Sequence, residues 1–300
     1  MGLWKKTAVA ALAIRALGPV ISPRFRPPQK HPWRQPGRTV FVGDNEYLVR
    51  EAGPGDAQPL VLIHGLAGSS LAEWYQMAPK LAERHRVILI DHRGHGLSAL
   101  TRGRYEIEDA ADDVAGVMDQ IGVEKAAVVG YSLGGTIAQS FAHRYPGRVS
   151  KLVLMGTFSY HPAPMRTLRV VGAMLLRGFE RLTGIGTSDA RSMYLLATGA
   201  VERRHGRWLW EETHRRDVDA GAQATLAMLR FDSRAWIGSI GVDTMVIIPT
   251  RDQLVPARWQ YELASMIEGV VVTELAGAHH ETPWVYADRL TREIEAFLSV

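Results

Sequence analysis

Cysteine is absent from the 300 residues, which excludes disulfides, thiolate metal sites and a cysteine nucleophile. Long apolar runs are also missing. The stretch Thr7–Ile14 is eight residues long and is stopped by Arg15, whereas a bilayer-spanning helix needs about 20. Acidic residues are absent from the first 38 positions, which hold Lys5, Lys6, Arg15, Arg24, Arg26, Lys30, Arg34 and Arg38. The whole chain carries +4, so residues 39–300 carry −4 and the globular part is mildly acidic. The basic arm lacks interleaved aromatics, so nucleic acid is not an expected partner. Its basic start and short apolar stretch make a marginal signal peptide, and Lys6 stands where N-myristoylation requires Ser or Thr. Six prolines between Pro19 and Pro36 favour extended backbone. The arm, residues 1–37, is expected to be a basic apolar tether making peripheral membrane contact through residues 1–36 of a cytoplasmic protein. A passive tail is the alternative.

Beyond Arg38 the pattern is one of strands and helices. Thr39–Val42 and Tyr47–Glu51 read as a hairpin across Gly43-Asp44-Asn45. Four apolar runs then alternate with helical patterns: Leu60–Ile63, Val87–Ile90, Ala126–Val129 and Leu152–Met155. Short fully apolar runs suit strands buried on both faces of a parallel sheet. A helical stretch is expected from the loop after Ile63 to about Arg84, and others over Glu108–Ile121 and Gly134–Tyr145. Residues 158–240 break the rhythm with helical patterns, including a stripe of Leu168, Val171, Leu175, Phe179 and Leu182. Trp208 and Trp210 in this stretch either line a substrate pocket or pack among its helices. Strand character returns at Met245–Ile248 and Val270–Glu274, each followed by a helix. The fold class is therefore α/β, a doubly wound and mostly parallel sheet, with a core of residues 38–157 and 241–300 and a helical cap of residues 158–240.

Chemistry concentrates at strand ends, where ligands bind in such sheets. Gly130-Tyr131-Ser132-Leu133-Gly134 lies between an apolar run and a small-residue helical segment. A bare Gly-x-Ser-x-Gly arises by chance in roughly one chain in ten of this length, but a strand before it and a helix after it make it a nucleophile elbow. A serine there needs a base oriented by a third group. Asp252 follows the penultimate strand, and His279 or His280 follows the last. Leu133 N–H at the helix start and Leu66 N–H in the turn His64-Gly65-Leu66 are the candidate oxyanion donors. Asp91 is read as ordering its own loop, and His64 as a loop-stabilising residue. The histidines match no metal-ligand spacing, so no metal is expected.

These motifs, with Asp91-His92-Arg93-Gly94-His95-Gly96-Leu97-Ser98 and Thr250-Arg251-Asp252-Gln253-Leu254-Val255-Pro256, resemble those of the α/β-hydrolase fold superfamily over about Arg38 to Leu298. The resemblance implies an eight-stranded sheet with a helical cap, Ser132 as nucleophile, Asp252 as acid, a histidine base, oxyanion residues Leu66 and Leu133, and no cofactor. It departs from the usual pattern in lacking glycine just before the base: the spacing usual in that family, counted from Glu274, favours His280, while Gly277-Ala278 taken as the small pair favours His279. Serine at the elbow, where dehalogenases and epoxide hydrolases of this fold carry aspartate, points to a carboxylic ester as small-molecule substrate. The apolar composition of the cap implies an apolar or lipid-like one. Carbon–carbon bond hydrolysis, cofactor-free perhydrolysis and non-catalytic ligand binding are the alternatives on the same scaffold.

Overall fold

The computed structural model describes residues 32–33, 35–66, 68–98, 104–162, 187–215 and 217–300, with several helical positions between 168 and 180. Residues 1–31 and 34 of the expected tether, and Phe179 and Leu182 of the expected apolar stripe, fall outside the described residues. Among the described residues, no helix is long and apolar enough to cross a membrane.

The sheet has eight strands: β1 (Gly37–Val42), β2 (Asn45–Ala52), β3 (Pro59–Ile63), β4 (Arg86–Ile90), β5 (Ala126–Tyr131), β6 (Val149–Met155), β7 (Thr244–Pro249) and β8 (Val271–Leu275). Their spatial order is β1-β2-β4-β3-β5-β6-β7-β8. The pairs β1–β2 and β2–β4 are antiparallel, and all others are parallel. The apolar runs occupy the central strands because both faces there are covered. Val61, Ile63, Ile88, Ile90, Val128, Leu152 and Leu154 enter the core on one side of the sheet. Their alternates Leu60, Leu62, Val87, Leu89, Ala127, Val129 and Val153 enter the core on the other. Side chains alternate along a strand, so a run without polar positions can satisfy two cores at once. Each fully buried aliphatic chain contributes about 1.5–3 kcal/mol.

The first core is closed by α3 (Ile107–Gln120), α4 (Leu133–Arg144) and α8 (Ala257–Ser265), and the second by α1 (Ser70–Trp74), α2 (Ala78–Leu81) and α10 (Ala287–Ser299). The expected helix between Ile63 and Arg84 is two short ones. Pro79 lies in the first turn of α2, where its missing N–H is harmless but where it prevents α1 from running on. A short helix α9 (Thr282–Val285) likewise precedes α10.

Between β6 and β7 the chain forms α5 (Thr187–Ala197), α6 (Gly206–His214) and α7 (Val218–Arg230). Trp208 is buried and meets Tyr75 edge-on at 5.0 Å, so it packs this segment against the sheet side of the molecule. Trp210 donates its indole N–H to Asp189. The apolar stripe that begins at Leu168 has a different fate: Leu168, Val171 and Leu175 are exposed, and no described element covers them. Helical spacing of apolar residues is therefore not a sign of core packing here.

Candidate active site

Strands β3 and β5 are neighbours although β4 lies between them in sequence. Sequential strands depart to opposite sides of this pair, which opens a crevice at their carboxyl ends. Ile63 pairs with Gly130 in register, so His64-Gly65-Leu66 and Ser132 leave the sheet side by side. A Cβ placed on Gly65 would lie 3.3 Å from the Ser132 Cβ.

Ser132 has φ 54° and ψ −117°. It is the single non-glycine residue with positive φ among the described residues. Such a conformation is strained by about 1–3 kcal/mol and persists where its surroundings over-determine it. Here the Ser132 N–H is tied to the Met155 carbonyl at 2.9 Å and the Ser132 carbonyl accepts the Gly135 N–H at 2.9 Å. The flanking glycines are required by close approach. A Cβ on Gly130 would lie 2.4 Å from the Gly134 carbonyl oxygen, and one on Gly134 would lie 2.2 Å from the Ile63 carbonyl oxygen. Leu133 begins α4, so its N–H has no acceptor within the helix.

The carboxyl ends of β5, β7 and β8 bring three side chains into line. His280 Nε2 is 3.0 Å from Ser132 Oγ, and His280 Nδ1 is 2.7 Å from Asp252 Oδ2. The acceptor carboxylate assigns the proton to Nδ1, which leaves Nε2 free to accept from the serine hydroxyl. Asp252 is fixed by the N–H groups of Leu254 and Val255, both to Oδ1, and by the Gln260 amide at 3.4 Å from Oδ2. The two loops are stitched together, since Arg251 N–H donates to the Ala278 carbonyl at 2.8 Å. Ser132 and His280 each keep 9% of their surface exposed, enough for contact with solvent but little for bulk screening. His279, the alternative, is exposed and forms no hydrogen bond with Ser132 or Asp252.

Leu66 sits in the turn after β3. His64 Nδ1 is 2.8 Å from the Gly65 carbonyl oxygen, and His64 Nε2 faces the His92 N–H at 3.3 Å. His64 therefore donates through Nδ1 and accepts through Nε2. Burial holds its pKa below the ordinary histidine value despite the neighbouring Asp91 and Glu73 carboxylates, so the imidazole is neutral. In a trans peptide the C=O and N–H point to opposite sides. With the Gly65 carbonyl held by His64, the Leu66 N–H leaves from the other edge of the same plane. Asp91 is fully buried and accepts from Ser70 N–H at 2.7 Å, Leu97 N–H at 3.0 Å and Arg50 at 3.3 Å. It orders the loops after β3 and β4 and is 0% exposed.

Some residues around the site carry no local sequence signal. Tyr131 Oη donates to the His280 carbonyl at 2.7 Å. Glu73 accepts the Gly65 N–H at 2.9 Å. Glu73 is the one visible beforehand in principle, as a lone acid in the otherwise apolar stretch Leu71-Ala72-Glu73-Trp74. Beside the ends of β6 and β7, Phe158, Val255 and Trp259 form a small apolar cluster with Met228 against it. Among the described residues, no group of three or more His, Asp or Glu side chains is arranged to hold a metal ion.

Residues 58–195 match a family model described as alpha/beta hydrolase fold. The putative carbamate hydrolase RutD of Caulobacter segnis is 30% identical over 234 residues, 76% of this chain and 86% of the relative. The 2-hydroxymuconate semialdehyde hydrolase of Pseudomonas sp. strain CF600 is 27% identical over 91% of this chain and 96% of its own length. Among solved structures, the enol-lactonase of Burkholderia xenovorans LB400 superposes with a TM-score of 0.75 at 27% identity, covering 88% of this chain and all of the other. The sheet order, the elbow at Ser132 and these likenesses together place the chain in the α/β-hydrolase fold family.

Proposed function

We propose that this chain is a serine hydrolase that cleaves a carboxylic ester through an acyl-enzyme. The observation that carries the reading is the line Ser132 Oγ, His280 Nε2 at 3.0 Å, and His280 Nδ1 to Asp252 at 2.7 Å. A serine hydroxyl is a weak nucleophile until a base can take its proton in the transition state. His280 is that base, and Asp252 holds its tautomer and stabilises the imidazolium that forms. Ser132 Oγ attacks the ester carbonyl, and the developing oxyanion accepts the N–H groups of Leu66 and Leu133. His280 then protonates the leaving alcohol, and water, deprotonated by the same imidazole, releases the acid.

The apolar cluster Phe158, Val255 and Trp259 beside the strand ends supports an apolar portion in the substrate, with residues 158–240 as the cap over it. The likeness to an enol-lactonase, whose name denotes a cyclic ester substrate, supports the ester class. Carbon–carbon bond hydrolysis is the second reading, favoured by the 27% identity with the 2-hydroxymuconate semialdehyde hydrolase along nearly its full length. A p-nitrophenyl ester series of increasing acyl length tests the assignment. Turnover that peaks at a medium or long chain and disappears in Ser132→Ala is expected. A protein that turns over none of them, yet cleaves 2-hydroxymuconate semialdehyde, belongs to the second reading.

A further inference from the structure

The turn that carries Leu66 is held from outside the sheet. Glu73, on α1, is buried and its Oε2 accepts the Gly65 N–H at 2.9 Å. Its other oxygen accepts from the Arg191 guanidinium at 2.5 Å. A second nitrogen of Arg191 donates to the Leu66 carbonyl at 2.7 Å. Arg191 belongs to α5, in the segment between β6 and β7, 118 residues from Glu73 in sequence. The far end of the turn is tied the same way. Ser69 Oγ accepts the Ala72 N–H, capping α1, and donates to Glu212 Oε2 on α6 at 2.8 Å.

Arg191 is also braced from the histidine side. Its guanidinium lies over the Trp284 ring at 4.4 Å, and Trp284 donates its indole N–H to the Ala72 carbonyl at 2.8 Å. Burial works against the Arg191 charge, but the Glu73 carboxylate and its hydrogen bond, together with Tyr131 and Glu281, outweigh it and hold the guanidinium pKa above its ordinary value. The planar fork reaches two acceptors at once, which a lysine ammonium on its flexible stem does not match. The peptide before Gly65 is held by Glu73 through the Gly65 N–H, the Gly65–Leu66 peptide by His64 through the Gly65 carbonyl, and the peptide after Leu66 by Arg191 through the Leu66 carbonyl. The N–H of the middle peptide, that of Leu66, is the one assigned to the oxyanion.

We propose that Arg191 and Glu73 form a latch through which the helical segment between β6 and β7 sets the Leu66 N–H for oxyanion binding, with Glu212 and Ser69 as a second tie. This rests on the ester-hydrolase reading above. Neither Arg191 nor Glu73 touches the reacting atoms; both are positioning residues. Seating of the segment and assembly of the oxyanion site become a single event, so that substrate bound under an unseated segment is not turned over.

The test combines p-nitrophenyl butyrate kinetics, inhibition by an aryl trifluoromethyl ketone, and hydrogen exchange over residues 64–74, all on the full chain. Loss of one oxyanion donor lowers turnover by about 10²–10³-fold, and misplacing one costs less. Arg191→Ala is therefore expected to lower kcat by about tenfold to a hundredfold and to weaken the ketone by the same factor, with KM within about twofold. Glu73→Gln should lose as much, and the double variant no more than either, since the two are bonded to each other and position the same Leu66 N–H. Exchange over 64–74 should rise in each. Arg191→Lys keeps the charge beside Glu73 without the fork and carries the same test, at intermediate loss, if Arg191→Ala does not fold. Unchanged kcat and exchange, a loss confined to KM, or losses that multiply would overturn the latch. A wild-type protein inert to every ester and to the ketone overturns the ester reading instead. The latch then stands if protection over 64–74 is lost with Arg191, and falls if that protection is kept.

Discussion

Tyr131, the residue immediately before the elbow serine, donates its phenolic hydrogen to the backbone carbonyl of His280 at 2.7 Å. The strand that presents the serine thereby also holds the loop that presents the histidine. A buried hydrogen bond of this kind contributes about 1 kcal/mol, but its effect on catalysis comes through the 3.0 Å Oγ–Nε2 distance. Tyr131→Phe is expected to leave the unfolding temperature within a few degrees and to lower kcat severalfold to tenfold. Unchanged kcat in steady-state assays would mean that the loop holds itself.

The two adjacent histidines separate cleanly by substitution. His280→Ala should reduce ester turnover by about 10³-fold or more, whereas His279→Ala, at an exposed position, should stay within twofold of wild type. The reverse pattern would reassign the base.

Backbone strain at the elbow predicts a trade of activity against stability. Replacing Ser132 by glycine or by alanine removes the hydroxyl in both cases, but only glycine adopts φ 54° without strain. Ser132→Gly should therefore unfold about 1 kcal/mol later than Ser132→Ala in denaturant, and both should be inactive. Equal stabilities would show that the conformation carries no strain energy.

Acid should destabilise the molecule before its carboxylates titrate. His64 and His92 are buried, with ring centroids 3.8 Å apart. Burial holds both below the ordinary value of 6.5, helped at His92 by the neighbouring His64 and His95. The unfolded chain takes up protons as pH falls through 6.5, and the folded chain does not. Stability is then lost from 6.5 downward until the depressed folded values are reached, at up to about 1.4 kcal/mol per pH unit for each histidine. Urea midpoints between pH 7.5 and 5 should show this slope, and His92→Gln should make it shallower. A flat profile over that range would contradict the account.

Much of the scaffold is visible in the sequence because its determinants are local. The central strands announce themselves as unbroken apolar runs, since both their faces are covered, and the elbow shows as two glycines whose side chains would strike Ile63 and Gly134 backbone. Ser132, Asp252 and the histidine pair can be named from strand ends alone. For the base, the usual spacing from Glu274 favours His280 and the small pair Gly277-Ala278 favours His279; the turn after β8 brings His280 Nε2 to 3.0 Å from Ser132 Oγ and leaves His279 exposed. Arg191 and Glu212 were out of reach: their partners lie 118 and 143 residues away, and nothing in the surrounding helices distinguishes them from solvent-facing charges. The Leu168 stripe is helical at its described positions, as its spacing indicates, yet Leu168, Val171 and Leu175 are exposed, because periodicity reports a face without reporting what covers it.

The central claim is that Ser132 is a nucleophile activated by His280. It is tested most directly by treating the wild-type protein with a fluorophosphonate and locating the adduct by peptide mass spectrometry. The account predicts a single adduct on Ser132 that forms at neutral pH and is slowed by orders of magnitude in His280→Ala. No adduct, or one formed equally fast without His280, would contradict it.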